Sequence, residues 1–584
     1  MSCRTRRSSA DLALSFVLAW GSAACTGEGE GGRPSILLVS IDTLRQDRLG
    51  CYGYDAAGTP VLDELAETGV LFESAYTSVP VTLPSHASIL TGTWPTWHGV
   101  RDNGSFQLDP EVVSVARVAQ EAGYATGAVI AALPLAARFG LDQGFDAYDE
   151  AGRDEETALH GRRAPVVTAA AQAWLEQVGE GPFLLWAHYF DPHYPYAPPE
   201  PYRSQHGGDP YQGEVAATDA ALGELIASAR AHAGDENLIV VIVSDHGEGL
   251  GEHGEATHGQ LLHDATMRVP LIFAGPGVPR QRRESAVVRT IDIAPTLAEL
   301  CDLPVPASVQ GRSLVPVWEG REQEARAAYL ETHYPRLHHG WSALQGLVDT
   351  SWKWVEAPQV EGAERTELYH LHDDPAELEN RATSERARAA EMSSALAELL
   401  ASSTPSPPFA AQRDLEREVA EGLALLGYTG GEVELGETAP HPAAMLAVME
   451  AYDLASYYLS LGRPPSALEH LEAVEAREPG GVSALELRAR YELGTHRAWP
   501  DRLQRAEDCA REAAVRSPSN GALWALLGEV LLARDELEPA LEALEQGRER
   551  GHVIELALFR EVLSAATAAG LEERARALSP AGGG

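Results

Sequence analysis

Three short stretches of the chain are apolar almost without interruption: "SILLVSID", "FLLWAHYFD" and "NLIVVIVSD". Runs of this length without polar alternation are what strands buried on both faces require. Between them lie stretches rich in Ala, Leu and Glu with apolar residues at helical spacing, and the alternation extends from about Arg33 to Leu400. The pattern predicts an α/β fold over 33–400, with a mostly parallel central sheet sandwiched by helices. Each apolar run ends in an aspartate, Asp42, Asp191 and Asp245. The ligand crevice of an open α/β sheet lies beyond the carboxyl ends of its strands, so the three acids are expected to converge there.

The pattern breaks at "SSTPSPP", Ser402 to Pro408, which reads as the start of a linker, 401–440, with a short helix. Over 441–584 the apolar positions return only at helical spacing, in pairs of helices. Leu454, Tyr458, Ala467, Leu471 and Pro479 form one set, and Trp524, Leu527, Gly528, Ala540 and Leu544 another; Gly494, Ala506 and Pro518 fit a degenerate unit between them. Small and large residues alternate where paired helices must touch, which predicts an all-α tetratricopeptide-like array with units of about 34 residues. Such an array presents a concave face suited to a peptide or protein partner.

At the N-terminus Arg4, Arg6 and Arg7 precede an apolar run from Leu12 to Trp20, then small residues and Cys25. Residues 1–25 therefore read as a leader, followed by a linker over 26–32; the apolar run is too short to span a bilayer. "GSAAC" is similar to a bacterial lipoprotein cleavage site with Cys25 as the lipidated residue, so the expected location is periplasmic or cell-surface, with membrane attachment only through that lipid.

Composition narrows the partners. The formal net charge of -41 excludes a surface that tracks nucleic acid or anionic lipid. The five cysteines show neither CxxC nor ladder spacing, so no zinc ribbon or disulfide framework is expected.

The candidate chemistry sits at the strand ends. Asp42, Asp245 and the adjacent His246 offer the mixed oxygen and nitrogen ligands of a divalent-metal site. In "VPVTLPSHASILTG", Pro84 and the small residues after it predict a helix with Thr82 at its N-terminus, where free N–H groups favour an anion. A hydroxyl there, beside a metal, becomes a nucleophile. Histidines suited to proton transfer are His193 in "DPHYP", His258 in "EATHG", and, ranked lower, His86, His188 and His253. Arg101 in "HGVRDNG" is a candidate substrate contact, as is His188.

These motifs together resemble the sulfatase family of the alkaline phosphatase superfamily. The resemblance runs over "SIDTLRQDRLGCYGY", "TLPSHASILTG", "SDHGEGLGEHGEATHG", "RVPLIFAGPG", "VRTIDIAPTLAEL", "QGRSL", "ELYHLHDDPAELEN" and "LLGYTGG". It implies a sulfatase-like fold and a hydrolase of sulfate esters with one divalent metal. Family members carry Cys or Ser, then x, Pro, Ser, Arg, and convert the Cys or Ser to formylglycine. Here the match is Thr82, Leu83, Pro84, Ser85, His86, and oxidation of a threonine gives a ketone rather than that aldehyde. Thr43 stands for the family's second aspartate and His246 for its asparagine, which moves the ligand set from calcium, the family's usual ion, toward zinc or manganese. Unmodified threonine on a metal is similar to what nucleotide pyrophosphatase/phosphodiesterases, phosphoethanolamine transferases and lipoteichoic-acid synthases use. By that resemblance Asp42, Thr82, Asp245 and His246 hold the metal, and the substrate is a small-molecule or saccharide sulfate or phosphate ester. Two other readings stand beside it: a phosphodiesterase, phosphonate hydrolase or phospho-transferase using Thr82, and an inactive fold serving as a binding module.

Overall fold

The computed structural model describes residues 33–150, 161–322, 324–362, 365–403, 437–460, 463–477, 480–495, 501–518, 520–550, 554 and 556–579. The leader, Cys25, Pro479, "LLGYTGG" and the linker from 404 to 436 fall outside them.

The first sheet has eight strands: β1 (Ser35–Ile41), β2 (Val70–Tyr76), β3 (Ala125–Val129), β4 (Ala147–Asp149), β5 (Phe183–Tyr189), β6 (Leu238–Ser244), β7 (Arg268–Ala274) and β8 (Arg282–Arg289). Their spatial order is β4-β3-β5-β1-β6-β7-β2-β8. The five strands from β4 to β6 run parallel, while β7 runs antiparallel to both its neighbours, so the sheet is mixed. β1, β5 and β6, the three apolar runs, are buried at every position. Helices cover both faces: Thr82–Thr91 lies on the side whose core includes Ile36, Leu38, Trp186 and Val241, and Ala164–Gln177 with Pro210–Ala233 on the side of Leu37, Val39, Leu185 and Val240. Successive residues of one strand alternate between the two cores, as the pleat dictates.

A second, four-stranded antiparallel sheet follows: β9 (Ala328–Thr332), β10 (Leu344–Val348), β11 (Trp352–Glu356) and β12 (Thr366–His370), in the order β12-β11-β10-β9. The sequence pattern did not separate it from the first sheet, because its strands are short and only partly apolar. The helix Arg386–Ser403 packs on it and runs three residues past the expected boundary at 400, since Ser403 is buried and its hydroxyl meets that of Thr96 at 3.0 Å.

The C-terminal part is helical, and its described helices pair as Pro442–Ser460 with Pro464–Arg477, Val482–Thr495 with Arg502–Arg516, Gly521–Ala533 with Leu537–Glu549, and Leu556–Ala569 with Glu572–Ala577. Gly528 shows why the pairing needs a small residue: a Cβ there would lie 2.6 Å from Leu544 Cγ. The first helix also touches the sheet domain. Leu446 joins the cluster of Leu261 and Leu262, and Trp341 joins that of Met445, Val448 and Ala451. No helix among the described residues is long and apolar enough to cross a membrane.

Candidate active site

The ends of β1 and β6 are neighbours in the sheet, with Ile41 in register with Ser244, so the residues that follow, Asp42 and Asp245, emerge side by side. Ser244 ties the two ends: its hydroxyl contacts Ile41 O at 2.7 Å and His246 O at 2.6 Å and accepts the Leu44 N–H at 2.9 Å. Asp245 Oδ1 accepts N–H groups from His246 (2.8 Å) and Thr43 (3.3 Å), which fixes the direction of the free oxygen Oδ2. Thr43 has φ of 53°, a left-handed conformation rare for a β-branched residue. Its hydroxyl bond to Pro192 O and the bond from Tyr211 Oη to its carbonyl, both 2.8 Å, hold it there.

Around this frame, both oxygens of Asp42, Oδ2 of Asp245 and Nε2 of His246 are buried without hydrogen-bond partners. His246 Nε2 lies 3.7 Å from Asp42 Oδ1 and 3.5 Å from Asp245 Oδ2. Burial pushes both carboxyl groups above the usual carboxylate range, and Asp42's charge adds to the rise at Asp245. Unpartnered carboxylate and imidazole lone pairs facing one another in a dry interior fit a divalent cation, and the donor set of oxygen with one nitrogen suits zinc or manganese.

The helix Thr82–Thr91 delivers its N-terminus to the same place. Thr82 is its first residue, preceded by Val81 in extended conformation, and is almost completely buried. Ser85 Oγ donates to Asp245 O at 2.7 Å, and His86 Nδ1 lies 2.8 Å from Thr82 O and 3.6 Å from Asp245 Oδ2. Leu83 N–H donates to Asn103 Oδ1 at 2.8 Å.

The other histidines separate by position. His258 is buried against His246, with ring centroids 4.4 Å apart, and its Nδ1 meets Glu248 Oε1 at 3.0 Å. Burial alone would lower its pKa, but Glu248, Asp42 and Glu255 lift it to about 9. His193 stacks on Phe190 and has its Nδ1 2.6 Å from Tyr194 O; burial drives it down to about 3, so its ring stays neutral. His188 lies behind Asp42, its Nε2 3.5 Å from Asp42 Oδ2. His253 is outside the cage, stacked on His263 at 3.6 Å.

Two expected placements change. Asp191 does not join the cage: its carboxylate pairs with Arg163 at 2.6 Å and accepts Ala164 N–H at 2.8 Å, so it serves the start of the helix Ala164–Gln177. Arg101 is committed to the buried Glu331 at 2.6 Å and to His333 Nε2 at 3.0 Å. Two residues were missed. Glu248 was legible in "SDHGE" as an acid near His258, but its partner was not. Asn103, in "HGVRDNG", has an amide nitrogen buried without a partner beside the helix start that carries Thr82; nothing in its local sequence distinguishes it from a turn asparagine.

Residues 34–303 match the family model described as sulfatase, and residues 251–404 match the one described as N-sulphoglucosamine sulphohydrolase, C-terminal. Among curated proteins, the delta 4,5-hexuronate-2-O-sulfatase of Bacteroides thetaiotaomicron is 25% identical over 436 residues, covering 62% of this chain and 87% of its own. A solved structure in complex with its substrate D-glucosamine-2-N,6-O-disulfate superposes with a TM-score of 0.55 at 21% identity, over 63% of this chain and 97% of the other. The phosphonate monoester hydrolase of Agrobacterium radiobacter superposes equally, with a TM-score of 0.55 at 22% identity over 63% and 96%. At these identities the superpositions establish the fold.

Proposed function

We propose that the chain, whose residues 34–303 match the sulfatase family model, is a hydrolase that cleaves sulfate esters of saccharides with Thr82 as the nucleophile. The observation that carries the reading is the convergence of unpartnered Asp42, Asp245 and His246 atoms at the start of the helix that opens on Thr82. Asp42, Asp245 and His246 would hold a divalent cation there, whose positive charge would ease loss of the Thr82 hydroxyl proton and offset charge on the transferring group. Zinc and manganese suit this donor set better than calcium.

Thr82 Oγ attacks sulfur, and the bond from sulfur to the leaving oxygen breaks. His258 stays protonated near neutral pH because Glu248 holds its Nδ1 side, and it gives a proton to the leaving oxygen. Water then attacks the sulfur of the Thr82 ester and gives a proton to the now neutral His258; the S–Oγ bond breaks, Thr82 Oγ takes back from solvent the proton it lost, and sulfate leaves. Asn103 holds the N–H of Leu83, the residue after the nucleophile, while its own amide N–H faces no protein acceptor and is available to an oxygen of the substrate.

A second reading, a phosphodiester or phosphonate hydrolase using the same residues, is favoured by Thr82 itself, since threonine cannot form the aldehyde on which sulfate chemistry in the resembling family rests. Hydrolysis rates on an aryl sulfate, an aryl phosphate monoester and a phosphodiester, with zinc, manganese or calcium, separate the two. Dominant phosphodiester activity overturns the sulfate reading, and undiminished activity in Thr82→Ala overturns both. No bound metal under any supplementation would leave the fold as a binding module.

The close approach of Gly528 to Ala540 and Leu544 supports reading the helical array as tetratricopeptide-like, with a peptide or protein as its partner. Residues 1–25 support export with a lipid on Cys25; a mature N-terminus other than Cys25, read by mass spectrometry, would count against that anchor.

A further inference from the structure

By spacing alone, His86, His188 and Asp245 form a second metal cluster beside Asp42, Asp245 and His246, with their donor atoms within 4.8 Å of one another. The hydrogen bonds decide whether these imidazoles are ligands, because a neutral ring carries one proton and a metal needs the nitrogen without it.

For His246, Nδ1 lies 3.0 Å from Gly247 O, an acceptor only. The proton is on Nδ1, and the unpartnered Nε2 presents a lone pair to the carboxylates. His188 is the reverse. Its Nδ1 receives the Ala131 N–H at 3.3 Å, so the proton sits on Nε2, the atom that faces Asp42 Oδ2 at 3.5 Å. In His86, Trp186 Nε1, a donor only, gives its hydrogen to Ser40 Oγ at 2.9 Å, which leaves the Ser40 hydrogen for His86 Nε2, also at 2.9 Å. The His86 proton is therefore on Nδ1, 2.8 Å from Thr82 O and 3.6 Å from Asp245 Oδ2.

Three buried histidines thus divide into one, His246, whose lone pair faces the carboxylates, one, His188, whose N–H faces Asp42, and one, His86, whose N–H is taken by Thr82 O. We infer that His188 is a positioning residue and His86 is not a ligand: behind the site His188 turns an N–H toward Asp42 and orients that carboxylate, His86 keeps its N–H on Thr82 O, and with no imidazole lone pair from either the centre is limited to a single cation. The inference rests on the reading that Asp42, Asp245 and His246 hold a metal.

The test is zinc stoichiometry and affinity of the purified full chain, measured by competition with a chromophoric chelator, for wild type, His188→Leu and His188→Gln. Leucine fills the space without an N–H; glutamine restores one. Wild type is expected to bind one ion per chain. His188→Leu is expected to keep that stoichiometry with a dissociation constant raised about 10- to 100-fold, and His188→Gln to recover most of the loss. Two ions in wild type and one in His188→Leu would make His188 a ligand and overturn the inference. Equal affinity in all three would reduce His188 to packing. Wild-type chain that takes up no zinc, manganese or calcium would instead overturn the metal centre itself. Wild-type stoichiometry needs no variant, so a misfolded substitution leaves the one-ion claim exposed to disproof.

Discussion

In the eight-stranded sheet, β1 and β6 are apolar along their length and then end on Asp42, Asp245 and His246, with His86 and His188 close behind, all fully buried. In the helical array the buried positions are of another kind: Ala506, Ala510, Leu527, Val530, Ala540 and Leu544 line the seams, and the buried Glu492 is met by Arg488, Arg502 and Arg505. An interior built for stability alone has no reason to hold opposed carboxylates, which cost free energy until a cation joins them. The array pairs its buried charge; the sheet domain leaves its central ones open. The contrast marks where chemistry, rather than packing, has set the residues.

The largest expected effect that sharpens this contrast is at Thr82. Thr82→Ala should lower kcat/KM by about 10^3-fold or more on whichever ester is preferred, with little change in the thermal midpoint; a loss of stability instead would make Thr82 part of the packing.

Next is a buried charge in the sheet domain that is paired rather than open. Lys353, fully buried on β11, holds Glu377 at 2.7 Å and also Asp264. Lys353→Met should cost about 3–5 kcal/mol in a urea titration, because two carboxylates lose their cation. A loss below 1 kcal/mol would show that solvent reaches the pair.

In the array, Gly528→Ala should cost about 1–3 kcal/mol, since the new methyl meets Leu544. If the array unfolds on its own, only its transition should move while hydrolysis persists. Loss of activity together with the array would mean that the docking of Leu446 and Trp341 supports the site.

The most gradual effect is a pH slope. Burial would raise the Glu377 carboxyl, but Lys353 and His263 hold it at about 2, below its ordinary value. A depressed carboxyl contributes stability that is complete above about pH 4.5 and lost as pH falls toward 2, at most roughly 1.4 kcal/mol per pH unit. Glu377→Gln should flatten the stability curve between pH 4.5 and 2; an unchanged curve would assign the acid sensitivity to other carboxyls.

The sequence disclosed the strands that carry the site, because doubly buried strands leave apolar runs that end abruptly in polar residues. It placed Thr82, Asp42, Asp245 and His246 at strand and helix ends for the same reason. Asp191 looked equivalent to Asp42 but is turned away by Arg163, sitting 28 residues before it, a pairing no local pattern records. His188 lies inside an apolar run, and only the direction of Ala131 N–H separates it from a ligand. The four-stranded sheet escaped because its strands, half covered by the helix Arg386–Ser403, alternate too weakly to be read.

β2 has its partners far down the chain: Val70–Tyr76 pairs with Arg268–Ala274 and Arg282–Arg289. The helix that opens on Thr82 follows directly from it. During synthesis, therefore, the segment bearing Thr82 waits for nearly two hundred further residues before its strand has a neighbour, and long-range pairing of this kind is slow. A chain cut off before Arg268 presents β2 with neither of its strand neighbours, although β1, β5 and β6 already have one another.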